Sequence, residues 1–249
     1  MAALIAALAA LAALAPTYVY SDAGQAGKVA RAVALAGGDP RAFGGLNLID
    51  TIRKAYNPAT GRYHPSLLYR HTLAVEGLLR AGEPVPGAAF DALLAARLPD
   101  GGWFWSFTST QSDVDTTGRA MQLLAGHAGL RCNPAYQVPS SFLASAQLST
   151  GGWGVYPAPN TNPANANSTA LAVAGLRAAG FDPNGPPFRV NGQGALDKLL
   201  SFQEPSGAFV YIQQPGKEEN RLMATLDAWP ALAQPQAGPA AAGRSTCRC

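Results

Sequence analysis

Charge is scarce in this chain. Lys, Arg, Asp and Glu make up 13% of its 249 residues, about half the share of an ordinary soluble domain. The 18 basic residues are dispersed along the chain and the net charge is +3. With no Lys/Arg cluster and no basic–aromatic interleaving, the sequence excludes a nucleic-acid surface. Cysteine is scarce too. Cys132 stands alone, and Cys247 and Cys249 form a C-R-C tail, which excludes a disulfide-built scaffold. His64, His71 and His127 are isolated and read as surface or core histidines. Without Cys or His at ligand spacing, neither a metal site nor a cofactor is expected. P-loop, G-x-S-x-G and H-E-x-x-H motifs are all missing. Only one apolar run is long, residues 2–15 (AALIAALAALAALA), and it is too short to span a bilayer comfortably, so no membrane span is expected.

What the chain has in quantity is alanine, 49 of 249 positions, within an apolar share of 48%. That share excludes extended disorder for most of the chain, and the length suits one domain or one repeat array. Self-similarity points to the array. Gln147-Leu-Ser-Thr-Gly151-Gly-Trp153 is the fullest copy of one pattern. Gln203 to Phe209, Arg97 to Trp103 and Asn57 to Tyr63 repeat its glycine and aromatic positions. Between these copies lies a second pattern, an apolar stretch of small residues that ends in glycine. TALAVAGLRAAG (169–180) and HTLAVEGLLRAG (71–82) match almost residue by residue, and 115–129, 24–37 and 223–233 are further copies. Proline follows soon after several of the terminal glycines, as helix stops require.

The expected architecture is therefore all-α, helix, Gly-aromatic turn, helix, Gly-Pro loop, repeated over residues 1–234. Helices over 44–56, 87–97, 140–147 and 194–203 carry the larger side chains. The Ala/Gly-rich set allows close approach and is expected to form an inner layer. A single hairpin cannot bury its apolar face alone, so neighbouring copies must cover it. Residues 235–249, rich in Pro, Ala and Gly, are expected to be a flexible tail.

Residues 2–15 allow two readings. In length the run matches a signal-peptide core, but no Lys or Arg precedes it and Pro16 stands where a small-residue cleavage site would be. Alternatively, aligning Ala15-Pro16 with Glu204-Pro205 puts Tyr20 on Phe209. Residues 2–14 then become an outer helix followed by a turn, giving about five hairpins. An extracellular or cell-surface location goes with the first reading and a cytoplasmic one with the second.

The Gln147…Gly151…Trp153 element resembles the Q-W motif of squalene-hopene cyclases and related terpene cyclases. The inner-helix pattern resembles the prenyltransferase and squalene-oxidase repeat. Gly24-Gln-Ala-Gly27-Lys-Val-Ala30, Asp39-Pro40 and Leu46-Asn-Leu-Ile49 are similar to the helical domain of transcobalamin and intrinsic factor. The resemblance implies an α/α toroid, here of about five helical hairpins, an incomplete form of a ring of about six. That fold hosts enzymes and carriers alike, so it does not fix an activity.

One motif bears on chemistry. Asp113-Val-Asp115-Thr116-Thr117-Gly118 resembles the D-x-D-D-T-A acid motif of class II terpene cyclases. The resemblance makes Asp115 a proton donor and Asp113 its partner, with Thr116 where a third Asp would stand. Such an acid needs a desolvated, neutral carboxyl. The next repeat reads Asn165-Ala-Asn167-Ser168-Thr169. Asn caps a helix but protonates nothing, so the motif also reads as a helix start, with Asp115 and Asn167 as equivalent caps. In that reading the helix N-terminus keeps Asp115 ionised. Trp103-Phe104-Trp105-Ser-Phe107 concentrates aromatics beside the motif, and Trp105 and Phe107 are candidates for an apolar ligand wall. The expected function is a non-catalytic toroid module that binds an apolar small molecule or a protein partner. The alternative is a class II, squalene-hopene type cyclase using Asp115.

Overall fold

A computed structural model describes residues 2–20, 22–127, 138–157, 162–212 and 221–233. Cys132 and the expected tail, with Cys247 and Cys249, lie outside the described residues. The chain is all-α. Its helices are α1 (Ala2–Val19), α2 (Ala23–Leu35), α3 (Leu48–Lys54), α4 (Leu68–Arg80), α5 (Gly87–Ala95), α6 (Val114–Gly126), α7 (Val138–Ala146), α8 (Ala166–Ala178), α9 (Ala195–Leu200) and α10 (Arg221–Ala233). Among the described residues the one sheet is a two-stranded antiparallel ribbon, Arg189–Val190 with Gln193–Gly194. No helix there is long and apolar enough to cross a membrane.

Two compact units make up the chain. One comprises Met1–Ala96 with Trp105–Thr108, the other Arg97–Phe104 with Ser109–Cys249. In the first, α2 packs on α4 and α3 around Ala26, Ala30, Val33, Leu48, Ile52, Leu68, Ala74 and Leu78, all buried. In the second, α8 packs between α6 and α10. Val114, Met121, Phe142, Trp153, Val173, Leu176, Phe188, Leu199 and Phe209 fill that core.

Glycine sets the distance between the small-residue helices. A Cβ on Gly27 of α2 would lie 2.2 Å from the Leu73 carbonyl oxygen of α4, and one on Gly77 would lie 2.5 Å from Gly27 Cα. The same pair recurs in the second unit. A Cβ on Gly118 of α6 would lie 2.3 Å from the Leu171 oxygen of α8, and one on Gly175 2.7 Å from the Gly118 oxygen. Backbone meets backbone at both crossings, and no other residue fits there.

The four Gly-aromatic turns share one wiring. Leu148 N–H donates to the Gly152 carbonyl at 2.9 Å, and Gly151 N–H donates back to Leu148 at 2.8 Å. Asn57, Leu98 and Glu204 make the corresponding bonds in the other three. Gly61, Gly101, Gly151 and Gly207 close these turns at φ of 68°, 92°, 83° and 88°, a region that side chains with a Cβ avoid. The glutamine of the fullest copy braces its turn. Gln147 Nε2 donates to the Gly151 carbonyl at 2.7 Å and to Phe188 at 2.9 Å, and Gln203 Nε2 reaches Gly207 at 3.1 Å.

Residues 2–20 depart from the expected outer helix and turn. α1 continues through Pro16 to Val19. A helical proline withdraws the donor that the carbonyl four residues back would use, here that of Ala12. Gly44 approaches that oxygen so closely that a Cβ on it would lie 2.4 Å away. Packing on Gly44 accompanies the continuous helix where sequence alone suggested a break.

Candidate functional site

Each turn is fastened to the small-residue helix that follows it. Trp103 N–H donates to Thr117 Oγ1 at 2.9 Å, Trp153 N–H to Thr169 Oγ1 at 3.1 Å and Phe209 N–H to Thr225 Oγ1 at 2.9 Å. These three threonines set α6, α8 and α10 in one register. In the remaining copy His71 takes the threonine position and its Nδ1 accepts from Tyr63 N–H at 3.2 Å. His71 Nε2 lies 3.0 Å from the Ala89 carbonyl. An accepting Nδ1 and a donating Nε2 fix a neutral tautomer. Burial holds the ring well below its ordinary value, at about 4. His71 is therefore a core histidine that replaces a threonine.

The helix starts differ from the sequence expectation by two residues. Asp113, extended at φ −122°, is the N-cap of α6, and its Oδ1 accepts from Thr116 N–H at 2.6 Å. Asn165 caps α8 in the same way, accepting from Ser168 N–H at 2.9 Å. Asp115 and Asn167 are thus not the caps. They sit inside the first helical turn. Thr116, which stands where a third carboxylate would be, donates its hydroxyl to Asp113 Oδ2 at 3.0 Å.

Freed from capping, Asp115 and Asn167 join a polar cluster across three helices. Asn167 Nδ2 of α8 donates to Asp227 Oδ2 of α10 at 2.7 Å. Asp115 of α6 takes a hydrogen bond from Ser168 and feels the Asp227 carboxylate and the Arg119 guanidinium. Its carboxyl is raised above the ordinary range, chiefly by burial, with Asp227 adding to the rise and Ser168 and Arg119 opposing it. This is opposite in direction to the expected lowering of the Asp115 carboxyl by the helix N-terminus. Desolvation in a buried site outweighs the partial charge of a helix end. Tyr211 faces the same region, its phenol raised by burial and by the nearby Asp115. Two acceptors in the cluster, Asp115 Oδ1 and Asn167 Oδ1, are buried without a hydrogen-bond partner.

Sequence reasoning singled out Asp113 and Asp115 but missed Asp227, Ser168 and Tyr211. The threonine register offers a signal for the first. Asp227 stands two residues after Thr225, where Arg119 stands after Thr117, so α10 carries an acid where α6 carries a base.

Trp105 and Phe107 belong to the first unit, while Asp113 and Asp115 belong to the second. The Trp105 carbonyl accepts from Tyr69 N–H at 3.0 Å at the start of α4, as Val155 and Tyr211 accept from Val114 and Ala166 at the starts of α6 and α8. Trp105 is 45% exposed. Phe107 has one face under the Arg62 guanidinium, 3.8 Å from the ring centre, and lies edge-on to His71. That ring is already engaged with a cation of this chain.

Among the described residues no group of three or more His, Cys, Asp or Glu could hold a metal. No protein-family model matches the chain, and no curated protein matches it.

Proposed function

We propose that the chain is a non-catalytic repeat module of the α/α-toroid type, and that it binds an apolar-bodied ligand or a partner segment through the polar cluster at the starts of α6, α8 and α10. One observation carries this reading. The residues that a cyclase acid site would need are committed elsewhere. Asp113 is used as a helix cap, Thr116 replaces the third carboxylate and bonds to Asp113, and Phe107 is occupied by Arg62. The repeat wiring of turns and threonines supports a hairpin array, and the glycine crossings support the close inner layer that a toroid needs.

A second reading, the class II cyclase with Asp115 as acid, draws on a specific observation of its own. Burial and the Asp227 carboxylate keep the Asp115 carboxyl toward its neutral form, which an alkene-protonating acid requires. One experiment separates the two. The protein is incubated with squalene, oxidosqualene and geranylgeranyl diphosphate, and extracts are analysed by gas chromatography. The module reading expects no cyclised product. A cyclic product that disappears in Asp115→Asn would establish the enzyme instead.

A further inference from the structure

We infer that the cluster of Asp115, Asn167 and Asp227 receives a primary ammonium group, which donates hydrogen bonds to Asp115 Oδ1, Asn167 Oδ1 and the Asp227 carboxylate. The inference rests on the binding-module reading and names the chemistry of its ligand.

The orientation of Asn167 is fixed by charge. Its Nδ2 donates to Asp227 Oδ2 at 2.7 Å, and the opposite amide orientation would press a carbonyl oxygen against a carboxylate. Asn167 Oδ1 is thereby a fixed acceptor, and it is buried with no donor. Asp115 takes the Ser168 hydroxyl, yet its Oδ1 is also buried with no donor. Buried polar atoms are nearly always paired, and each exception calls for a cause. Both exceptions here are acceptors, they lie within one cluster, and they come from successive helices. Asp115, Asn167 and Asp227 are each only partly buried as whole residues, so the cluster reaches the surface while the two oxygens do not.

The missing complement is a group rich in donors. An ammonium offers three N–H donors and no acceptor, which matches oxygens from α6, α8 and α10. Charge favours a cation as well. Among the described residues, Asp115 on α6 and Asp227 on α10 are set against Arg119 on α6, while Ser168 and Asn167 on α8 are neutral and Tyr211 is a neutral phenol near pH 7. A divalent metal fits less well. Calcium takes about six to eight oxygen ligands, more than this cluster supplies, and the positive starts of α6 and α8 oppose a double charge. A neutral alcohol would satisfy one acceptor and leave the carboxylates uncompensated.

The ammonium can come from a free alkylamine or from a lysine side chain of a partner. The test uses the full chain and isothermal titration with n-butylammonium, 1,5-diaminopentane and Nα-acetyl-lysine amide. Tetramethylammonium, n-butanol, CaCl2 and MgCl2 serve as comparisons. Saturable binding of the primary amines is expected. Affinity should fall about tenfold or more in Asp115→Asn and in Asp227→Asn, since each removes a charge-assisted hydrogen bond. Circular dichroism checks that both variants are folded. Preference for the lysine derivative would identify a partner side chain as the source, and preference for the diamine a free amine. Equal binding of tetramethylammonium, binding of calcium or magnesium in place of amines, unchanged affinity in both folded variants, or no amine binding at all would each overturn the inference. In the last case ordered water satisfies the two oxygens. Binding of an apolar ligand without amine binding would leave the module reading standing, whereas a cyclised terpene product would remove that reading itself.

Discussion

Replacing Gly118 by alanine places a methyl group 2.3 Å from the Leu171 oxygen and 2.5 Å from its carbonyl carbon. An ordinary carbon–oxygen contact is about 3.3 Å or more, so α6 and α8 would have to separate by roughly 1 Å at their crossing. The obstacle is backbone on both helices, which cannot swing aside as a flexible side chain does. Overpacking of this kind typically costs about 1–3 kcal/mol, and a backbone obstacle puts this case at the upper end. Alanine returns about 1 kcal/mol of helix propensity. The net expectation is a loss of about 2 kcal/mol, measured by urea unfolding followed by far-UV circular dichroism at an unchanged m-value. Gly126 supplies the control within the same helix. It is exposed, and a Cβ there would meet nothing within 4 Å, so Gly126→Ala should stabilise by about 0.5–1 kcal/mol. If Gly118→Ala proved as stable as Gly126→Ala, the close crossing of α6 and α8 would be refuted.

Trp153 is fully buried and its Nε1–H donates to the Leu143 carbonyl at 2.8 Å, so Trp153→Ala should cost about 3–5 kcal/mol, and a melting temperature that moved by less than a degree would contradict its role. Asp113→Ala should destabilise by about 0.5–2 kcal/mol while Asp113→Asn costs much less, because Asn165 makes the same cap; equal losses in urea unfolding would show that the charge matters. His71 has a folded value of about 4, below the unfolded 6.5, so its contribution is complete above 6.5 and is lost as pH falls toward 4. The difference of about 2.5 units corresponds to about 3 kcal/mol at most, and a stability profile measured against pH should flatten over that window in His71→Gln. Asp115 shifts the other way. Its folded value is raised, so the wild type loses stability as pH rises through that value, and Asp115→Asn should be at least as stable as wild type at neutral pH; a clear loss in the same unfolding assay would mean that the ionised carboxylate is stabilising.

The sequence by itself determined the helices, the turns and their repetition. These depend on local chemistry. Glycine at 61, 101, 151 and 207 supplies the positive φ that each turn needs, and runs of small residues leave glycines such as Gly27 and Gly118 where backbones meet. Tertiary structure decided the rest. Whether Asp113 or Asp115 caps α6 depends on which residue leaves the helical backbone, and both are aspartates in the same short motif. Residues Ala2–Val19 form one helix although Pro16 suggested a break, and Gly44, which packs against the Ala12 carbonyl, is remote in sequence. Asp227 joins Asp115 and Asn167 only because α8 packs between α6 and α10. The direction in which Asp115 titrates was likewise out of reach of the motif. A helix end lowers a carboxyl and burial raises it, and only packing sets how deeply the carboxyl is buried.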